Sequence, residues 1–467
     1  MLVVVATAVV VVLVVASLPR WLPTAVIALR ERIFASINGD EGIPVPGPLV
    51  DVSRFREVYA HPAANGRSRG AALSDLFWYW LAPGPHVHQE HLEPGPRYDE
   101  VARTTRQVLA VPKREAEDLA RRCAARVLDE LPTGRRVLVR LRDVMMPVWA
   151  EVYYELVFRE PCPPRARDLI VANANDVVTA LKCCGLRHMD RRARLTRYLV
   201  DRISAGEVPV RLPEWLSTEE KAYYLQGTFF NTAVVQMSEA MTHLLLAIAE
   251  HPEVQARLVE HPEDSAYLDH VLDEALRAYP LFGIAHRITS ADIVVDEHTT
   301  VPSGSVLCFN YADYHNSGFP DPARFDPSRW EGLSAREATH IPFGVTQNRP
   351  CPAKGIAPLT MRAVTREVLR RFALASSVSH TRSVPNRGPC LLLPRAAGPA
   401  ARPTALLALL RVRDRWEDVW RSLVQLVLGS YMVWDARRQR LCQRYFETHR
   451  PFGPAPSGPA DGCPVRH

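Results

Sequence analysis

The strongest chemical signal in the chain is an ordered series of charged residues that ends on a cysteine. Glu274 and Arg277 lie three apart in a helical pattern, so their side chains share one face. Pro280 and Arg287 follow, then the turn Val301-Pro302-Ser303-Gly304, then Asn310 and His315, then Phe325-Asp326-Pro327-Ser328-Arg329-Trp330. The series closes on Pro342-Phe343-Gly344-Val345-Thr346-Gln347-Asn348-Arg349-Pro350-Cys351-Pro352-Ala353. A helical pattern over 357–373 begins just after Cys351, and the positive end of a helix dipole favours a thiolate. Taken singly, Glu274 and Arg277 are an ordinary helix ion pair and Cys351 a small buried residue. Their order and spacing set them apart.

In that order the set resembles the cytochrome P450 family, over residues 42–395. The resemblance implies a mainly α fold with a minor β-sheet, haem b as cofactor, and Cys351 as the thiolate ligand of its iron. Such a ligand pushes electron density onto the iron and favours O–O cleavage. By the same resemblance, Arg349 and Arg287 meet the haem propionates, with Arg103 or Arg106 as a third cation. Phe343 and Ala353 border the cofactor, and Tyr98 stands where the family has Trp or His. Glu274, Arg277 and Arg329 are expected to form a buried charged triad, which must be fully paired because an uncompensated buried charge is costly.

Two departures from the family pattern bear on chemistry. The cysteine loop is one residue longer between Phe343 and Arg349, with Thr346 at the usual second glycine. The long helix over 217–250 is expected to cross the haem. Counting back from His251-Pro252, the family's acid–threonine pair falls on Val235 and Gln236, and neither relays protons. Thr232, Ala233 and Gln236 are therefore the candidate catalytic residues, facing dioxygen or substrate. The expected activity is monooxygenation of a lipophilic small molecule, a secondary metabolite, with substrate groups or water completing the relay. The alternatives are atypical chemistry (rearrangement, dehydration, a peroxide-driven route, an N–O or O–O substrate) and a haem-binding scaffold without turnover.

The expected substrate wall is apolar: Phe77, Trp78, Phe229, Phe230, Val234, Phe282 and Ile284. No flavin motif, dinucleotide fingerprint or iron–sulfur cysteine set appears, so electrons are expected from a ferredoxin or flavoprotein reductase in trans. Arg362 and Arg366 are candidate contacts for that carrier. His86, His88, Glu90 and His91 have the residue types of a metal site but lack a second ligand cluster. Pro83, Pro85, Pro94 and Pro96 make the segment a loop at the surface or the haem edge.

These residues need elements to hold them. The 467 residues are 47% hydrophobic and 23% charged, ordinary globular values that exclude disorder or coiled coil for the whole chain. Of 57 basic residues only four are lysine (Lys113, Lys182, Lys221, Lys354), and the net charge is +6, so arginine clusters are not read as nucleic-acid sites. Nine scattered cysteines suit a reducing compartment. Helical patterns fall at 98–110, 113–131, 140–158, 165–182, 190–204, 252–260 and 265–278, and short strands at 292–296, 305–310 and 390–394.

Residues 1–18 carry no charge and Arg20, Arg30 and Arg32 follow them. The expectation is a single-pass membrane anchor over 1–23, with the catalytic domain on the cytoplasmic side. Residues 24–49 are expected to be an interfacial helix and a Pro-rich hinge, 50–395 the haem domain, and 396–467 a C-terminal extension. That extension holds an Arg-rich amphipathic helix and a disordered end. The helix lies on an anionic membrane or packs on the globule.

Overall fold

The computed structural model describes residues 2–38, 42–132, 134–281, 283–333, 338–376, 386–395 and 403–449. The chain opens with α1 (Leu2–Asn38), a single helix with Pro19 and Pro23 inside it. The interfacial helix expected within 24–49 is therefore corrected to a continuation of α1: each proline removes one N–H donor, and the ladder re-forms on either side. Val3–Arg30 has a mean hydropathy of 2.4 and none of its most apolar window is covered, so it is long and apolar enough to cross a membrane. The expected hinge is also corrected. Ile43–Val45 forms β1, paired in parallel with β6 (Val306–Asn310) at Val45↔Phe309. Pro44 is tolerated because β1 is an edge strand.

The globule then runs through α2 (Phe55–Ala60), α3 (Ala72–Leu81), α4 (Pro96–Leu109), α5 (Lys113–Asp129), β2 (Val137–Arg140), α6 (Leu141–Phe158), α7 (Pro164–Leu181) and α8 (Met189–Ser204). Next come α9 (Thr218–Gly227), a π-helical segment Thr228–Ala233 and α10 (Val234–Glu250), which together make one long helix. It is also apolar enough to span a membrane, but 83% of its apolar window is buried, which marks it as a core helix. Then follow α11 (Pro252–Glu260), α12 (Ser265–Ala278), β3 (Ile284–Ile288), β4 (Ile293–Val294), β5 (Thr300–Val301), β6, α13 (Tyr311–Ser317), α14 (Ala357–Arg371), β7 (Phe372–Ser376) and β8 (Pro389–Pro394).

The core sits between α5, α6, α10 and α14. In α5 the buried residues are Ala116, Leu119, Ala120, Cys123, Ala124, Val127 and Leu128, a three-and-four spacing that buries one stripe. Residues of α6 and α10 are buried nearly all round, as a central helix requires. One sheet has the order β1-β6-β3 and a second β2-β8-β7. The mainly helical fold with minor sheets agrees with the sequence expectation.

The C-terminal extension packs on the globule. Its helix α15 (Thr404–Gln439) buries Met432, Val433 and Ala436 against Leu76, Tyr79, Trp80 and Cys183, and Leu407 against Ala375, Leu391 and Leu393. In α16 (Leu441–Thr448) the Cys442 backbone N–H donates to the Asp75 carboxylate at 2.8 Å. Residues 396–402 and the proline-rich end at 450–467, expected to be disordered, lie outside the described residues.

Candidate active site

Cys351 lies in the loop before α14 and lines an interior cavity. Its backbone N–H donates to the Phe343 carbonyl at 3.1 Å, which folds the loop back on itself. Val345 and Asn348 pair as an isolated bridge, so the extra loop residue is absorbed in a tight turn through Thr346 and Gln347. The Asn348 amide donates to the carbonyls of Tyr59, His61 and Ala64 at 3.2, 2.9 and 2.9 Å, pinning the loop to α2. Gly344 has φ +67°, and a side chain there would press on the Tyr59 hydroxyl. Burial pushes the Cys351 thiol up to about 11, while the backbone N–H groups of Ala353 and Lys354 work against it by hydrogen-bonding the sulfur. A bound cation would complete that trend, since a coordinated thiol is deprotonated.

Three guanidinium groups converge at one edge of the same cavity. Arg349 donates to the carbonyls of Asn65 at 3.0 Å and of Gln89 and Leu92 at 2.8 Å, and lies 4.1 Å over the Tyr98 ring. Arg287 donates to the Tyr59 hydroxyl at 3.2 Å, and its Nε is buried without a partner. Arg67 donates to the carbonyls of Glu90 at 2.7 Å and His286 at 2.5 Å. Burial, with Arg67 and Arg287 beside it, lowers Arg349 to about 9, and burial with Arg287 beside it lowers Arg67. Among the described ion pairs none involves these three. Three buried guanidinium groups hydrogen-bonded to neutral acceptors, with the Glu90 and Glu93 carboxyls as the nearby acids, leave room for an anionic ligand. The two carboxylates of haem b, with its iron at Cys351, suit that place, so the residues present fit the group.

The opposite wall is the π-helical turn and the start of α10. Thr228, Phe229, Thr232, Ala233, Gln236 and Met237 line the cavity. A π-bulge of this kind is characteristic of functional sites. Facing it is the loop after α3, which contributes His88, Gln89, Glu90 and His91. The His88 ring is pressed against Gly227, where a Cβ would stand 1.7 Å from Nε2. Both ring nitrogens of His88 and of His91 are buried without partners. Burial holds His88 at about 3, hence neutral. Burial weakens the acidity of the Glu90 carboxyl, and Arg67 and the nearby Thr232 hydroxyl partly restore it.

The structure brings some of the expected site residues to the cavity and leaves others away from it. Phe77, Phe229, Ile284, Phe343 and Ala353 line the cavity, as do Thr232, Ala233 and Gln236. Trp78 does not: it is 3% exposed, donates from its indole to Ser68 Oγ at 3.1 Å, and packs on Tyr445 and Phe446 of α16. Phe230 and Val234 share the far face of the long helix, where Phe230 stacks on Phe158, so both are core residues outside the cavity. Phe282 lies outside the described residues. Arg103 and Arg106 are exposed because α4 turns Tyr98, Thr105 and Leu109 inward; Arg67 takes the expected third place. Arg362 is bound to Asp269 at 2.7 Å and Glu117 at 3.4 Å, and Arg366 to Ser265 at 2.7 Å. These two side chains are already engaged on the surface offered for a carrier.

The sequence offers the loop of His88, Glu90 and His91 as surface or haem edge without a role for any of them, and does not single out Arg67. Their histidine and carboxylate composition was visible, but nothing local signals which way a proline-bounded loop folds. A separate cluster of Cys123, Glu151 and Glu155 has ligand atoms within 4.8 Å of one another. Arg126 donates to all three, so its charge is already met.

Below the cavity, Arg277 donates to both Glu274 oxygens at 2.8 Å, and Arg329 donates to Oε1 at 3.1 Å. The Trp330 indole and the Asp326 backbone N–H add donors at 3.0 and 2.9 Å. Glu274 and Arg277 are fully buried, and every lone pair of the carboxylate has a donor, as a buried ion set requires.

A family model described as Cytochrome P450 matches residues 214–397, which carry the distal helix, Glu274, Arg277 and Cys351. Among curated proteins, putative cytochrome P450 135B1 of Mycobacterium tuberculosis is 32% identical over 159 residues, 30% of this chain and 33% of that protein. Ent-kaurenoic acid oxidase 1 of Hordeum vulgare is 34% identical over 123 residues, 26% of this chain and 23% of that protein. The chain thus spans about a third or less of the length of these relatives. Among solved structures, a zebrafish cytochrome P450 with progesterone superposes with a TM-score of 0.61 at 17% identity, over 76% of this chain and 95% of that one. A retinoic-acid-bound cyanobacterial cytochrome P450, CYP120A1, gives 0.58 at 17% identity, over 72% and 86%. Family model and fold agree on the segment that builds the cavity: the chain contains a cytochrome P450-fold domain.

Proposed function

We propose that the chain is a haem-thiolate oxidoreductase that monooxygenates a lipophilic small molecule, with electrons from a separate ferredoxin or flavoprotein. One observation carries the reading: the Cys351 sulfur and the Arg67, Arg287 and Arg349 guanidinium groups border a single cavity roofed by Thr232, Ala233 and Gln236. Haem b, when bound, supplies one-electron and dioxygen chemistry.

The chain's own residues do the rest. With the group bound, Cys351 would hold negative charge at its sulfur, steadied by the N–H groups of Ala353 and Lys354. Arg67, Arg287 and Arg349 would hold its carboxylates. Phe77, Leu109, Phe229, Met237, Leu281 and Ile284 make an apolar wall that binds substrate and excludes water. Thr232 orients the Glu90 carboxyl, which stores a proton at the cavity and returns it through the threonine hydroxyl. A carboxyl–hydroxyl pair drawn from two elements supports monooxygenation over a route that needs no relay. The apolar α1 supports a membrane-tethered enzyme with its globule on the cytoplasmic side, in keeping with a lipophilic substrate. The test is oxygen uptake by the holoprotein with a surrogate ferredoxin and reductase. Uptake that rises with a lipophilic substrate and forms hydroxylated product supports the proposal, and uptake indifferent to every substrate class contradicts it.

A further inference from the structure

We infer that α15 carries a second membrane-contacting surface, which seats an apolar stripe on an anionic lipid bilayer beside α1. The inference rests on the reading of α1 as a bilayer anchor and goes beyond it, because α15 belongs to the C-terminal extension.

Leu409, Val412, Trp416, Trp420, Leu423, Val427, Tyr431 and Trp434 are spaced three or four apart and all exposed. At 3.6 residues per turn they fall within an arc of about 100° and run about 38 Å along the helix. Leu409, Trp420 and Val427 are 68%, 67% and 67% exposed, and the opposite face is the one buried on the globule. A continuous apolar strip of this length is not an ordinary soluble surface.

Three observations identify lipid as its cover. First, α15 packs against α1, and α1 is covered only from Ser17 onward, so the uncovered apolar span of α1 leaves the globule from the helix that α15 touches. Second, the charges are segregated. Asp414, Glu417, Asp418 and Asp435 are covered, Glu417 bonding Arg140 and Asp435 bonding Tyr79, whereas Arg411, Arg413, Arg415 and Arg438 are exposed, Arg413 and Arg438 also pairing with Asp414 and Asp435. No acid of α15 is itself exposed, so the charge this helix shows to solvent is basic and complementary to anionic headgroups. Third, half the stripe is Trp or Tyr, the side chains that favour the boundary between acyl chains and water.

The experiment uses the full chain in vesicles of phosphatidylglycerol and phosphatidylcholine with brominated acyl chains, which quench tryptophan on contact. Replacing Trp416, Trp420 and Trp434 together by Phe keeps bulk and fold, and retains Trp21 as the reporter of α1. The proposal expects the triple variant to lose the larger part of the quenching, with Trp21→Phe removing the remainder. Quenching as strong in the triple variant as in the wild type overturns the α15 surface while leaving the anchor intact. A chain that does not sediment with vesicles overturns the anchor and this inference together. Cross-linking of a Trp420→Cys variant into dimers, with no quenching, assigns the stripe to a second copy and overturns it as well.

Discussion

The Thr232 hydroxyl lies close enough to the Glu90 carboxyl to oppose the rise in its pKa that burial causes, although the two belong to elements more than a hundred residues apart. The long helix alone offers the cavity no carboxylate. Its inward positions there are Thr228, Phe229, Thr232, Ala233, Gln236 and Met237. A loop that seats His88 on Gly227 carries the missing acid into place.

Replacing Glu90 by Gln keeps size and one acceptor but removes the titrating proton. We expect turnover to fall about 10²-fold or more, the usual contribution of a positioned acid or base. Reductant should still be consumed, so product formed per electron pair drops. Parallel measurement of both quantities in wild type and Glu90→Gln checks this, and unchanged coupling removes Glu90 from the mechanism.

Arg67 and Arg103 give opposite expectations. Arg67→Ala should speed haem transfer to apomyoglobin about tenfold or more, the equivalent of a lost charge-assisted hydrogen bond of roughly 1.5 kcal/mol or more. Arg103→Ala, on the exposed face of α4, should leave that rate unchanged. Equal effects would show that the third cation has been misassigned.

Glu274→Gln leaves Arg277 and Arg329 without their anion in a buried site. A loss of about 3–5 kcal/mol in unfolding free energy is expected, as for other broken buried pairs. Denaturant titration of the two proteins measures it, and a loss below the level of a surface pair would contradict complete burial of the triad.

Asp273 on α12 is raised from 3.8 to about 7 by burial and by the neighbouring Asp269 carboxylate. Its folded form therefore prefers the proton. The stability it contributes is full below 3.8 and is lost as pH rises toward about 7. Asp273→Asn should remove this loss, so the variant melts higher than wild type at pH 8, with the gap closing at pH 4. A gap independent of pH would place the titration elsewhere.

Much of the site was legible because its residues announce themselves locally. Glu274 and Arg277 share a helix face and Cys351 precedes a helix, whereas Thr232, Ala233 and Gln236 come from the family resemblance, counted back from His251-Pro252. The misses are tertiary. Phe230 and Val234 differ from Phe229 and Ala233 only in rotation about the helix, which the π-helical turn shifts. Trp78 is claimed by α16, whose docking no local pattern reveals. Arg67 and Glu90 enter the cavity because Asn65, Gln89 and Leu92 turn their carbonyls to Arg349, a long-range bond set by loop geometry. Arg103 followed family position, whereas the inward face of α4 falls on Tyr98, Thr105 and Leu109.

The central claim is the bond between the Cys351 sulfur and a porphyrin iron, and the absorption spectrum of the reduced protein under carbon monoxide tests it most directly. The account predicts the far red-shifted Soret band of a thiolate-ligated haem in the wild type and its disappearance in Cys351→Ala. A wild-type band at the position of imidazole-ligated haem, or one that survives the alanine substitution, would contradict it.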